Sequence, residues 1–326
     1  MAEDTAARPG PRLPLNTLGA GLGLAGLAGT WTAADGLLGA PAVVGDALWV
    51  VAAVVWALIL TRYLTTAGPH GLAEDLRNPV AGPFAALAPA VASLLSARLA
   101  DEQPALGRLL VWIALAFSAA FGAWFVATLL TVPREAVSLH GAYLLPTVAA
   151  SLIAAQSVAA IGHREAATAL FAVGIVFWVL IGALLLTRFA TGPAIPVPLL
   201  PTLAVFSAPP AVAGNAWWAI AGPVRDEVQT ALLGTLAALL LPHLFLLPRY
   251  LRMDFTLGFW AFTFTIAASA TYGLRMLSLS TSAWSTALSW TILALATGLI
   301  GAIAVRSLAV LPRPHRHLRH GHVQHI

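Results

Sequence analysis

The sequence predicts an all-α polytopic membrane protein, with ten transmembrane helices paired as five helical hairpins around a central pore. Three observations predict it. Of 326 residues, 59% are hydrophobic and 9% charged, whereas soluble domains carry about 25% charged residues. So few charges could not cover the surface of a water-soluble chain of this size. The apolar residues also cluster into ten runs of a length that crosses a bilayer, about 20 residues. Such runs far exceed the ~10-residue alternating strands of an outer-membrane barrel. Finally, odd- and even-numbered runs differ in kind.

The runs span roughly 15–33, 46–66, 80–99, 107–131, 142–161, 166–188, 197–220, 228–247, 256–276 and 284–307. Runs 1 and 3 are the least hydrophobic. Short connections between runs carry nearly all the charges. The expected organisation is a cytoplasmic tail over 1–14, a ten-helix channel domain over 15–310, and a basic, His-rich cytoplasmic tail over 311–326. The start, "MAEDTAARPGPRLP", lacks the basic region and small-residue cleavage site of a signal peptide. All 17 basic residues are Arg. With the amino terminus inside, twelve of them fall on the cytoplasmic side and five, Arg98, Arg108, Arg164, Arg225 and Arg275, on the other. That asymmetry predicts both termini in the cytoplasm and an even number of spans.

Run by run, the odd segments contain Pro83, Pro89, Pro146, Pro201, Pro209 and Pro210, while the even ones hold only Pro242 well inside a span. Proline removes a backbone donor and kinks a helix, and lipid tolerates this only where neighbours or water satisfy the freed carbonyls. Odd segments also carry more polarity, including Thr147, Ser151, Gln156, Thr202, Ser207, Asn215, Thr263, Thr265 and Ser269. Even segments such as "LFAVGIVFWVLIGALLL" (170–186) are nearly pure hydrocarbon. The expected arrangement is an inner ring of five odd helices inside an outer, lipid-facing ring of five even ones, an internal repeat of about 60 residues. Pattern alone leaves two readings of the inner ring open, a pore and a packed core, because buried membrane helices are also rich in small residues.

The composition excludes most chemistry. With no Cys there is no disulfide, thiolate metal site or Cys nucleophile. No span centre carries Asp or Glu, which removes the dyads of intramembrane proteases and argues against proton coupling. His140 and His243 read as structural or interfacial. The tail "PRPHRHLRHGHVQHI" holds five of nine histidines and reads as a solvated cationic tail near lipid, with weak metal binding as the other reading. No enzyme activity, cofactor or resident metal is expected. A net charge of +4 (17 − 13) is no nucleic-acid signal. Basic residues are also absent at mid-depth, so a path here suits small anions rather than dicarboxylates, which call for Arg forks.

The stretch "GLGLAGLAG" matches a dinucleotide-binding fingerprint at Gly21, Gly23 and Gly26. That fingerprint needs a strand before it and a helix starting within it. Here the preceding "PRLPLNTLGA" has no buried strand, and the small-residue helical pattern runs on. The glycines instead form two small helix faces, Gly19/Gly23/Gly26 and Gly21/Ala25/Ala28/Gly29, one expected to pack and the other to face a lumen.

Five stretches carry a family resemblance: "LNTLGAGLGLAGLAGTW" (15–31), "DLRNPVAGPFAAL" (75–87), "YLLPTVAASLIAA" (143–155), "PTLAVFSAPPAVAG" (201–214) and "FWAFTFTIAASATYGL" (259–274). Each falls on an odd helix or just before one. Together they resemble the tellurite-resistance/dicarboxylate transporter family, most closely its bacterial tellurite-resistance branch, and more distantly its plant slow anion channels. The resemblance implies ten helices around a pore, one pore per protomer of a homotrimer, in a bacterial plasma membrane. It implies an anion channel for chloride or nitrate, or alternatively an exporter of C4-dicarboxylate, sulfite or tellurite. It also implies a pore-occluding Phe on the ninth helix, placed at Phe264 with Phe262 one register away; Thr265 stands where the family usually has Pro or Gly. Expected pore-lining residues are Gly23, Pro89, Pro146, Pro209 and Thr265. Expected partners are small anions and the lipid bilayer.

Overall fold

Proline and small residues shape how each odd helix begins. In the computed structural model, which describes residues 13–280 and 282–310, all five odd helices enter through a tight turn before becoming α-helical. The first follows a 3-10 turn at Leu15–Leu18 and runs as α1, Gly19–Leu38. A 3-10 turn at Gly82–Ala86, carrying Pro83, leads into α3, Leu87–Glu102. Ahead of α5, Ala150–Ala160, come a 3-10 turn and the π turn Leu145–Ala149 around Pro146. The seventh, α7, covers Val197–Ala221 and is broken at Ala208 before Pro209 and Pro210. The ninth, α9, Trp260–Ser278, follows a 3-10 turn at Leu257–Phe259. Where proline sits in such a turn, its missing N–H leaves a carbonyl that no straight helix would leave free.

The even helices are long and regular: α2 Ala42–Arg77, α4 Pro104–Thr131, α6 Arg164–Thr191, α8 Glu227–Leu251 and α10 Ala283–Val310. In α2 the span ends at Gly68, whose φ of 60° only glycine adopts cheaply, followed by Pro69 and a short returning helix. Among the described residues, nine helices are long and apolar enough to cross a membrane. The tenth, α1, matches them in length, 20 residues, but its glycines and threonines lower its hydropathy.

Contacts between elements arrange these ten as two layers. Each odd helix touches the next, α1 on α3, α3 on α5, α5 on α7 and α7 on α9, and α9 packs back on α1, closing a ring of five. Burial follows the layers. Within their most apolar windows, α3, α5, α7 and α9 are 44–78% buried, against 11–28% for the five even helices. Large apolar side chains such as Leu58, Phe117, Val179, Phe245 and Leu295 project from the even helices to the outside. The expected inner and outer rings are therefore the architecture observed. The tails up to residue 12 and over 311–326, with the His-rich segment, lie outside the described residues.

The seam that closes the ring is built from glycine. A Cβ on Gly23 would fall 1.9 Å from Thr263 Oγ1, on Gly26 2.9 Å from Ala267 Cβ, and on Gly19 3.3 Å from Trp260 Cβ. The Gly19/Gly23/Gly26 face is thus buried under α9. The second small face meets α2, where a Cβ on Gly21 would stand 3.0 Å from Trp56 Cβ. Both faces pack, and Gly19, Ala25, Gly26 and Gly29 also border open cavities. Thr30, fully buried, fixes the seam by donating to Ala267 O and sharing a 2.8 Å hydrogen bond with Thr271 Oγ1.

Candidate functional site

Two cavities lie among the five odd helices. The inner one, of about 210 Å³, is walled by the entry turns of all five odd helices, among them Leu15, Phe84, Leu145, Leu199 and Trp260. The outer one, of about 380 Å³, lies between the far halves of the same helices, lined by Gly29, Arg98, Gln156, Ser157, Asn215, Thr271 and Arg275. Two residues border both cavities, Phe264 and Val212. The Phe264 ring rests over Gly26, where an added Cβ would come within 3.1 Å of its Cδ2. The Phe264 ring thus lies on bare glycine backbone where it borders both cavities, as Val212 of α7 also does.

Phe262 is elsewhere. Its ring packs edge-on against Tyr250 of α8, centroids 4.9 Å apart, and lies 5.7 Å from Phe259. It borders neither cavity. Pro209 lines the inner cavity, as does Thr265, although the Thr265 hydroxyl is spent on Ala204 O at 3.0 Å and ties α9 to α7. Three residues expected at the lumen sit differently. Gly23 is under α9 because only glycine lets the two backbones approach so closely. Pro89 borders a groove on the outer flank with Trp56 and Phe121. Pro146 borders another between α4 and α6 with Gly122 and Phe177. Prolines on an inner helix need not point inward: the kink is a backbone event, and the side chain here lies on the face turned to the even helices. Gly26 and Val212 had no such assignment in the sequence. The signal for Gly26 was its place seven residues along the small face from Gly19.

The cavities differ in polarity. The hydroxyls on the inner one are already used, Thr202 Oγ1 donating to Leu199 O at 2.6 Å and accepting from Gly141 N, while Asn16 Oδ1 there is buried without a hydrogen-bond partner. Just outside the fifth span, His140 is fully buried, stacked 5.6 Å from Phe84, with Nε2 donating to Val80 O at 3.1 Å and Nδ1 accepting from Ala142 N at 3.4 Å. One nitrogen donates and the other accepts, so the ring is neutral. Burial pushes its pKa down to about 4, against the hydrogen bond to Val80. His243 is held by Ser207 Oγ at 2.7 Å and Tyr250 Oη at 2.9 Å, a structural position.

A family model described as "SLAC1: Voltage-dependent anion channel" matches residues 12–308. The chain is similar to a tellurite resistance protein TehA homolog of Haemophilus influenzae, 28% identical over 261 residues, 79% of each chain. It is also similar to the S-type anion channel SLAH4 of Arabidopsis thaliana, 29% identical over 154 residues, which are 45% of this chain and 39% of that one. S-type anion channel SLAH1 of the same plant is 28% identical over 149 residues.

Proposed function

The chain belongs to the SLAC1 voltage-dependent anion channel family, and from that premise we propose that it is an anion channel of the bacterial plasma membrane whose pore runs through the ring of odd helices and is closed by Phe264. It is a multi-pass membrane protein of a family that carries anions. The observation that carries the finer reading is the position of Phe264, bordering both cavities of a closed five-helix ring. A phenyl ring across so narrow an apolar passage blocks ions by sterics and by dewetting. Permeants are small and monovalent, chloride or nitrate, because among the described residues no cation lines the inner cavity to grip a dianion. With both termini cytoplasmic, the inner cavity faces the cytoplasm and the Arg275 cavity faces outward. Pro209 and Thr265 line the cytoplasmic half, and each protomer of a homotrimer carries its own pore.

The name of the Haemophilus relative speaks of tellurite resistance, and the second reading is coupled export of tellurite or, as the family resemblance implies, of sulfite or a C4-dicarboxylate. Recording from the purified chain in planar bilayers separates the two. A channel passes current that reverses near the chloride equilibrium potential with no proton or sodium gradient. Saturable flux that stops when such a gradient is collapsed would replace the channel by the exporter.

A further inference from the structure

We propose that the outer cavity contains an anion-capture site built on Arg275, which takes a small monovalent anion before it meets Phe264. The inference deepens the channel reading and rests on it. Two arginines line this cavity in opposite electrostatic states. Arg98 lies 2.9 Å from Asp46, 3.0 Å from Glu102 and 3.5 Å from Asp101, so three carboxylates outweigh its charge. Arg275 has no carboxylate within ion-pair distance among the described residues. Its Nη1 donates to Asn215 Oδ1 at 2.9 Å and Asn215 O at 3.2 Å. The guanidinium carbon lies 5.8 Å from the centre of the Trp218 ring. Asn215 is itself held by its amide donating to Ala268 O at 2.9 Å. These contacts orient the guanidinium without neutralising it.

Nε and Nη2 of Arg275 donate to no protein group among the described residues. On the same cavity wall, Ser157 is 1% exposed and its buried Oγ has no hydrogen-bond partner. A buried hydroxyl left unpaired is costly and points to a ligand that accepts from it. An unpaired guanidinium and a spare hydroxyl on the wall of one cavity suit chloride or nitrate. Asp101 on the same wall is held by Arg98 at 3.5 Å, so the attraction of an anion falls to the Arg275 guanidinium itself.

The chain contains no cysteine, so Arg275→Cys introduces its only thiol. In planar bilayers the variant's chloride conductance should fall about three- to tenfold at 0.1 M salt and approach wild type at about 1 M, where the charge is screened. A cationic methanethiosulfonate should restore conductance, an anionic one should lower it further, and Arg275→Lys should stay near wild type. Confirmed labelling with conductance unmoved by either reagent overturns the site and leaves the channel reading standing. If Arg275→Cys elutes as aggregate, Arg275→Gln replaces it, with the salt dependence as the readout. Line broadening in chloride NMR of the full chain in detergent tests the site without conduction. Loss of the broadening in Arg275→Gln supports it, and equal broadening in both proteins overturns it. Silence of the wild type in bilayers together with that loss would keep the site and remove the channel.

Discussion

The two cavities on either side of Phe264 are walled by the same five helices yet have opposite chemistry. The inner one is formed by entry turns, where the chain spends its hydroxyls on its own backbone and presents Leu, Phe and Pro to the cavity. The outer one is formed by regular helix, with Gln156, Ser157, Asn215, Thr271 and Arg275 on its wall. The difference teaches that placement rather than supply sets a wall's polarity: the entry turns put mainly apolar side chains on the inner wall, whereas the regular helices put amides, hydroxyls and two guanidiniums on the outer one. The ring of Phe264 borders both.

The largest test merges the two. Phe264→Ala should raise chloride conductance several-fold in oocytes or planar bilayers, and unchanged current would remove the gate. Next comes the seam both cavities share. Gly23→Ala places a methyl against Thr263 and should cost about 1–3 kcal/mol, read as a lowered melting temperature in detergent; an unaltered melt would show that α1 and α9 are not locked together. Smaller is a pH effect confined to the inner side. His140 has its folded pKa lowered to about 4 from 6.5, so the unfolded chain binds the extra proton between those values. Its contribution is full above the unfolded value, declines as pH falls through 6.5 and levels off below about 4, a loss of about 2 kcal/mol at pH 5. His140→Gln should flatten that part of the stability profile. The smallest effect belongs to neither cavity. Phe262→Ala should lose about 1 kcal/mol of aromatic pairing with Tyr250 and leave conductance unchanged. A rise in current there would move the gate by one register.

Much of this was legible in the letters. The ten runs and the alternation between polar, proline-bearing segments and hydrocarbon ones predict the two rings, since each helix must match the solvent or neighbours it meets. The glycine spacing predicts close helix contact, and dinucleotide binding fails because "GLGLAGLAG" has no strand before it. Which residues face the axis was much less legible. Pro89 and Pro146 stand on inner helices, Pro146 in a π turn, and lie on their outer flanks. Gly23 was expected at the lumen and lies in the seam. Facing depends on the rotation of each helix about its axis, and in a ring where neighbours are apolar on most sides, hydrophobic periodicity does not set that rotation.

The sequence by itself determined the solvent of this protein, the number of its helices, their division into two layers and the family to which they belong. It could do so because burying apolar length in lipid is a local property of each run. Only the tertiary structure decided that Phe264 rather than Phe262 borders both cavities, that Gly26 lies beneath its ring, and that among the described residues Arg275 has no carboxylate within ion-pair distance while Arg98 has three. Those facts depend on distances between residues on different helices, and no spacing along one chain contains them.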